Sequence, residues 1–404
     1  MQKKIVALAV AGLSTAAFAQ TNVTIYGVAD VSVQGISASQ GKATQDAAGN
    51  VMGLQSNSSL MGFKGTEDLG NGLKALFQAE TSVNMAGNTG NNSQTNEGSA
   101  VGVNNTSIFG GAMRDTFVGL NTKYGTALAG YLSTPYRSAL VSFAVEPGAT
   151  GSMTIEKQMS AMRFGYDNTQ FQSSVRATAI AYAMPTLYGF DGSIAYTGSN
   201  NNGNNEANAS TGNNSLYSAL STQIGWTGYG VNIKGAFQQA NMQVSPSSAT
   251  SAVAGANQIG DYTSYLVGAM YTGVQNLKLS TVYVRNSLGT NGTTDLTTGA
   301  GKISNNQLYA GVSYRMGNWE PRVSATWSSD MDGSSVQQLG SRQWTANVGY
   351  YLSKRTQVYG LVSNLNNSAN QNYTFGQQTS TLGASSSTSG SNLFTYGMGM
   401  RTSF

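Results

Sequence analysis

The sequence predicts an all-β fold, a 16-stranded antiparallel transmembrane β-barrel with short turns at one end and long loops at the other. Three observations carry this expectation. Apolar and polar residues alternate at period two through most of the chain, which gives a strand two unlike faces. Connections switch regularly between tight turns and long low-complexity loops. Charge is scarce: 9% of the 404 residues are charged, against about 25% in an ordinary soluble domain. Asn, Ser, Thr, Gln and Gly supply neutral polarity instead, so the apolar residues must be finely interleaved with them. Nowhere does the chain show the long 3.6-residue apolar stripe of an amphipathic helix.

In chain order, residues 1–19 read as an export signal. Lys3 and Lys4 precede the short apolar stretch Ile5 to Ala11, and Ala17-Phe18-Ala19 fits a small-x-small cleavage site. The barrel then occupies 20–404. Its first strand, 22–35, sets Val23, Ile25, Ala29, Val31 and Val33 against Thr24, Tyr26, Asp30, Ser32 and Gln34. The expected strands 58–68, 73–86, 108–121 and 126–132 follow, and after a long interval 176–184, 188–198, 216–226 and 231–240. In the last of these Val231, Ile233 and Phe237 oppose Asn232, Lys234 and Gln238. The remaining strands are 262–272, 276–286, 306–316, 319–329, 342–352, 355–365 and 393–404.

Even-numbered strands are followed by turn formers such as Gly70-Asn71-Gly72, Thr227-Gly228-Tyr229-Gly230 and Gly317-Asn318. Odd-numbered strands lead into long segments such as Gly41 to Asn57, Gly198 to Ser215 and Asn366 to Asn392. A soluble sandwich has no need of that asymmetry. A sheet in lipid must close because its edges cannot be satisfied there, and bacterial barrels combine short turns on one side with long loops on the other. Tyr217, Trp226, Tyr262, Tyr271, Trp319, Trp344, Tyr350 and Phe394 fall near strand ends, where interfacial girdles belong. Sixteen strands enclose an aqueous lumen, whereas about eight would be filled by side chains.

The composition also narrows function. With no His and no Cys, the chain lacks the imidazole or thiolate of nucleophilic triads and of zinc sites, so no catalytic, metal or cofactor site is expected. Removing Lys3 and Lys4 leaves 19 basic against 17 acidic residues, which gives no signal for nucleic acid. Asp330-Met331-Asp332-Gly333 begins like a calcium loop, but no Glu stands at the twelfth position and it reads as a turn.

Several stretches resemble the trimeric general porins of Gram-negative outer membranes, in the branch common among beta-proteobacteria. They are Val23 to Asp30, Gly62 to Ala75 with its Glu67-Asp68-Leu69-Gly70-x-Gly72 core, Arg114 with Phe117 to Leu120, Leu352 to Gly360, and the terminal Phe404. The resemblance implies a homotrimer in the outer membrane whose protomers are passive diffusion channels for ions and small hydrophilic solutes, each narrowed by an inward-folded third loop. It also implies that Phe404 is read by the outer-membrane assembly machinery. Outer-membrane lipids complete the expected partners.

The third loop, about 132–175, stands out in the residues themselves, because 44 residues with little alternation separate Tyr131 from Arg176. It carries Arg137, Lys157 and Arg163 with Glu146, Glu156 and Asp167. Folded inward, these charges would face basic wall residues across the narrowest point and select ions by sign. On the wall, alternation assigns Tyr26, Asp30, Lys64, Lys74, Gln78 and Glu80 to the lumen, and Arg176 enters the strand after the loop. Arg114 and Asp115 are adjacent, so regular alternation lets only one point inward. The resemblance favours Arg114 and parity with Phe117 favours Asp115, and the pair stays open. Two positions depart from the family's pattern: Leu60 and Gly130-Tyr131 stand where members often have Arg. Both remove positive charge, which leaves anion preference open and favours a weakly selective pore lined with Asn, Gln, Ser and Tyr. A solute-specific channel for neutral or aromatic molecules and a surface adhesin or structural barrel are the alternatives.

Overall fold

Alternation along each strand becomes an inside and an outside in the computed structural model. It describes residues 22–39, 50–83, 85–86, 113–147, 153, 156–164, 169–198, 215–244, 258–290, 302–334, 336–375 and 389–404. The export signal, residues 108–112 and Asp167 lie outside these, as do the side chains of Glu156, Lys157 and Tyr217. The strands are β1 (Asn22–Ala38), β2 (Asn50–Ser56), β3 (Leu60–Gly70), β4 (Leu73–Ser82), β5 (Thr116–Thr122) and β6 (Gly125–Ser133). Within the following long connection lie α1 (Pro135–Val141), α2 (Glu156–Met159) and a small hairpin, β7 (Ala161–Phe164) with β8 (Thr169–Gln172). The wall resumes with β9 (Arg176–Ala183), β10 (Phe190–Thr197), β11 (Ser215–Gly228), β12 (Val231–Val244), β13 (Gln258–Tyr271) and β14 (Leu277–Thr290). It ends with β15 (Lys302–Tyr314), β16 (Trp319–Ser328), β17 (Ser341–Tyr351), β18 (Thr356–Asn367) and β19 (Leu393–Ser403).

Sequential wall strands pair antiparallel, and β1 closes the sheet on β19, from Val28 opposite Ser403 to Ala38 opposite Leu393. The barrel has sixteen staves because β2 and β3 are halves of one. β3 pairs with Asn22 to Val28 of β1 and β2 with Val31 to Ser37. Asn57, Ser58 and Ser59 break the line between them, Ser58 with a φ of 53°. Behind the break lies buried Asp30, which accepts hydrogen bonds from Tyr359 Oη at 2.6 Å and Arg401 Nη1 at 3.0 Å. The segment 50–56 was expected to be loop. Seven residues beside a low-complexity stretch make a faint alternation, yet Met52 and Leu54 face out and Gln55 is buried inside.

At the turn end the hairpins are tight. Tyr229 and Gly230 join β11 to β12 with φ of 52° and 77°, the two positive values that a type I′ turn requires and that match strand twist. On the outer face, large apolar side chains such as Ile25, Val118, Ile180, Val267, Val323 and Met398 are exposed. This inverts the arrangement of a soluble protein. Two outward aromatic rows bound the band. Tyr271, Tyr314, Trp319 and Tyr350 lie near the turns and Tyr265, Tyr283, Trp327 and Trp344 towards the loops. Trp319 and Trp327 are eight residues apart on β16, about 20 Å of height at ~3.3 Å per residue and a tilt near 40°, comparable to the apolar belt of an outer-membrane barrel. Tyr262, expected in a girdle, instead points inward. It is fully buried, with its ring 5.9 Å from that of Phe171.

The described parts of the connection 134–175 lie inside the barrel. Tyr136, Leu140, Phe143 and Met159 form one apolar cluster with Leu266, Val282, Val284 and Tyr309 of the wall. Met162, Phe164 and Phe171 form another with Tyr262, Leu288 and Ile303. The described start of the connection after β18 also turns in, placing Tyr373 and Phe375 in one cluster with Ala161 and Leu365.

Candidate functional site

The inner wall of β1, β3 and β4 and the approach to β5 carries a chain of linked charges. Tyr26 lies opposite Gly62, and a Cβ there would sit 2.6 Å from the ring's Cζ, so glycine lets the ring lie flat on the wall. Lys64 Nζ stands 5.0 Å from that ring's centre, within cation–π range. Tyr26 Oη donates to Glu80 Oε2 at 3.0 Å, and Glu80 Oε1 pairs with Arg114 Nε. Next along the wall, Asp115 Oδ1 accepts from the backbone N of Ser133 at 2.7 Å and from Arg176 Nε at 3.2 Å.

Arg114 and Asp115 both belong to this inward group. Gln78 faces Phe117, but Thr81 faces Met113, so one extra residue has been absorbed on the Met113–Phe117 side. The backbone N of Arg114 donates to the carbonyl of Glu80 at 2.9 Å. Such a bulge sets two residues against one and breaks the alternation, which is why simple parity allowed only one of the pair. Their side chains remain 17% and 26% accessible although each is ion-paired.

At the root of the inward loop, close to Arg176, stands Arg137. Thr134 caps α1, accepting from the backbone N of Arg137 at 3.3 Å, and Pro135 occupies the first turn where its missing N–H costs nothing. Arg137 Nη1 reaches Ser174 O at 3.3 Å, and Arg137 and Arg176 both act electrostatically on Arg114. Among the described residues, this group sets four cations, Lys64, Arg114, Arg137 and Arg176, against two carboxylates, Glu80 and Asp115. Lys74 also faces inward but lies at the turn end, opposite Asp68 and Asn121.

The remaining loop charges sit elsewhere. Glu146 lies across the barrel, its Oε2 accepting from Tyr309 Oη at 3.0 Å, while that same hydroxyl accepts from the backbone N of Val145 at 3.1 Å. Arg163 is tied to the connection after β18, with Asn372 Oδ1 2.5 Å from its Nε, and burial lowers its guanidinium to about 10. Local sequence gave no sign of Tyr309 as an anchor. It also left unmarked a second inward cluster near the turns, where Arg322 Nη2 donates to Glu320 Oε2 at 2.6 Å and Nη1 to Asn347 Oδ1 at 2.7 Å.

Burial raises the Glu146 carboxyl above the usual carboxylate range, against partial offsets from Ser324, Tyr309 and Arg322. A group raised on folding stabilises its site fully below its unfolded value and loses that contribution as pH rises through the folded value. The loop should therefore be held most firmly in acid. Chymotryptic cleavage at Phe143, taken as the ratio of wild type to Glu146→Gln at each pH, is expected to rise from acidic to neutral pH; a constant ratio would contradict this anchor.

At mid-height the two sides of the barrel interior differ. On β11 to β18 the inward Ser221, Gln238, Ser264, Gln307, Ser324 and Gln343 are buried beneath the loop. On β3 and β4 the inward Lys64 and Thr66 are exposed and Gln78 and Glu80 half-buried, while Asp30 of neighbouring β1 is buried. The interior thus keeps an accessible, polar and charged strip along one side.

Comparison with known proteins agrees with this arrangement. The major outer membrane protein P.IB of Neisseria gonorrhoeae is 28% identical over 368 residues, covering 88% of this chain and 91% of that protein. P.IA of Neisseria meningitidis serogroup B is 28% identical over 400 residues, covering 88% and 92%. Among solved structures, an anion-selective porin from Comamonas acidovorans covers 95% of this chain and 100% of its own, at 18% identity and a TM-score of 0.62. A trimer form of OmpT from Vibrio cholerae covers 95% and 99%, at 12% identity and a TM-score of 0.59. At those identities the two structures speak for the fold alone. A family profile described as Gram-negative porin matches residues 6–371, and the chain belongs to that family.

Proposed function

We propose that this chain is an outer-membrane porin whose water-filled passage for ions and small hydrophilic solutes runs along the inward faces of β1, β3, β4 and β5. No covalent step is involved. The observation that carries this reading is the split interior: an exposed, charged strip on one side and a buried one beneath the loop on the other. Lys64, Arg114, Arg137 and Arg176 with Glu80 and Asp115 then line the constriction. A small surplus of positive charge in a narrow, low-dielectric space favours anions. Pairing of Arg114 and Arg176 with carboxylates keeps that preference weak.

The Vibrio cholerae neighbour in trimer form supports a homotrimer. Phe404 lies paired with Gly27, backbone N to O at 3.1 Å in both directions, with its ring over that glycine. A terminal aromatic strand of this kind suits recognition by assembly machinery.

In a planar bilayer under a KCl gradient, the protein should give stable open channels with a reversal potential slightly on the anion side. Lys64→Glu or Arg176→Glu should move that potential towards cations. An unchanged potential would remove the residue from the constriction, and absence of conductance would sink the channel reading.

A further inference from the structure

The hairpin of β7 and β8 is a two-stranded sheet of its own, apart from the barrel wall. One edge of β7 therefore meets no strand among the described residues, and carbonyls of alternate residues point out along such an edge. Two of them, on Ala161 and Arg163, are met by side chains of the connection after β18. Tyr373 Oη donates to Ala161 O at 2.7 Å and Gln371 Nε2 to Arg163 O at 2.9 Å. The two donors are themselves two residues apart and run antiparallel to β7, so 371–373 completes the small sheet through side chains. Gln307 of β15 joins the same node, donating to Ala161 O at 2.7 Å and to Tyr373 Oη at 3.3 Å.

The segment 371–373 is in turn fixed to the loop-side rim of the wall. Asn367, at the end of β18, donates from Nδ2 to Tyr373 O at 2.9 Å and accepts from Tyr373 N at 3.0 Å, much as a paired strand residue would. Gln371 Nε2 also donates to Leu339 O in the connection from β16 to β17, and Gln371 Oε1 accepts from Asn372 N at 2.9 Å. Gln371, Asn372 and Tyr373 are all buried. A buried polar network with its bonds made fixes one arrangement, whereas loss of a member leaves a buried group unsatisfied.

At its other end the hairpin leads into the constriction. Ser173, next after β8, donates from N and Oγ to Ser160 O at 2.8 and 3.0 Å and closes the hairpin's base. Ser174 follows, and its carbonyl and hydroxyl oxygens each accept from Arg137 Nη1 at 3.3 Å. A shift of the hairpin is thereby passed to the Arg137 guanidinium. We propose that Gln371 and Tyr373 are positioning residues for ion selection: they latch the inner hairpin from the loop side, so that Ser174 holds Arg137 at the constriction. The proposal rests on the channel reading above and extends it to residues outside the constriction.

The test is the reversal potential of single channels in a planar bilayer under a KCl gradient, for wild type, Arg137→Gln, Q371A/Y373F and the triple combination. Q371A/Y373F should move the potential towards cations by at least about half the shift that Arg137→Gln produces. Added to Arg137→Gln, the same pair should move it no further, because coupled sites are not additive. Tyr373→Phe alone, which removes one oxygen and leaves the packing, should shift the potential in the same direction and is decisive if the double variant fails to fold. An unchanged potential in these variants, or a changed conductance at an unchanged potential, would overturn the proposal. An equal further shift in the Arg137→Gln background would overturn it too, since the segment would then act elsewhere than on Arg137. Lack of channels in wild type would instead overturn the channel reading itself.

Discussion

Replacing Gly268 with Val is expected to unseat the inner loop and raise single-channel conductance severalfold, with added current noise. Gly268 lies on the inward face of β13, and a Cβ there would come 2.6 Å from Cδ2 of Phe143. Phe143 is fully buried among Leu140, Leu266 and Val282, and its carbonyl accepts from Ser280 Oγ at 2.6 Å. The ring has nowhere to retreat in a close-packed cluster. Extra side-chain bulk in such a core costs about 1–3 kcal/mol and full loss of a buried Phe about 3–5 kcal/mol. The wall is secured by continuous hydrogen-bonded ladders on both sides of β13, so the damage falls on the loop. About 3 kcal/mol shifts an equilibrium by more than a hundredfold, since about 1.4 kcal/mol is tenfold. Phe143→Ala removes the same anchor without touching the wall and should act in the same direction. Wild-type conductance in both variants, measured in high salt, would show that the loop does not narrow the passage.

Much of the barrel is legible in the sequence because lipid and lumen impose opposite demands on alternate residues. Val23, Ile25, Val31 and Val33 against Thr24, Tyr26, Asp30 and Ser32 suffice to locate β1 and its two faces. The same pattern fails where pairing departs from regularity. β2 is short and broken from β3 at Asn57 to Ser59, and the extra residue at Arg114 and Asp115 follows from its partner strand, not from its own composition. Inside the barrel, placement depends on contacts between distant residues. Nothing around Glu146 announces a hydroxyl 163 residues away on Tyr309, and nothing near Arg163 announces Asn372. Alternation gives a side chain's direction but not what covers it, so the division of the inner wall into open and covered halves had to come from the structure.

That division is the central claim, and the absence of Cys from the chain makes it directly testable. A single introduced Cys is the protein's one thiol, and a charged, water-soluble thiol reagent can reach it only where ions also pass. Lys64 faces the exposed strip, whereas Gln238 and Ser324 face inward beneath the loop with 1% and 6% of their surface accessible. Added to open channels in a planar bilayer, the reagent is predicted to cut the current through Lys64→Cys sharply and to leave Gln238→Cys and Ser324→Cys conducting as before. Block at Gln238→Cys or Ser324→Cys with none at Lys64→Cys would contradict a passage along β1, β3, β4 and β5.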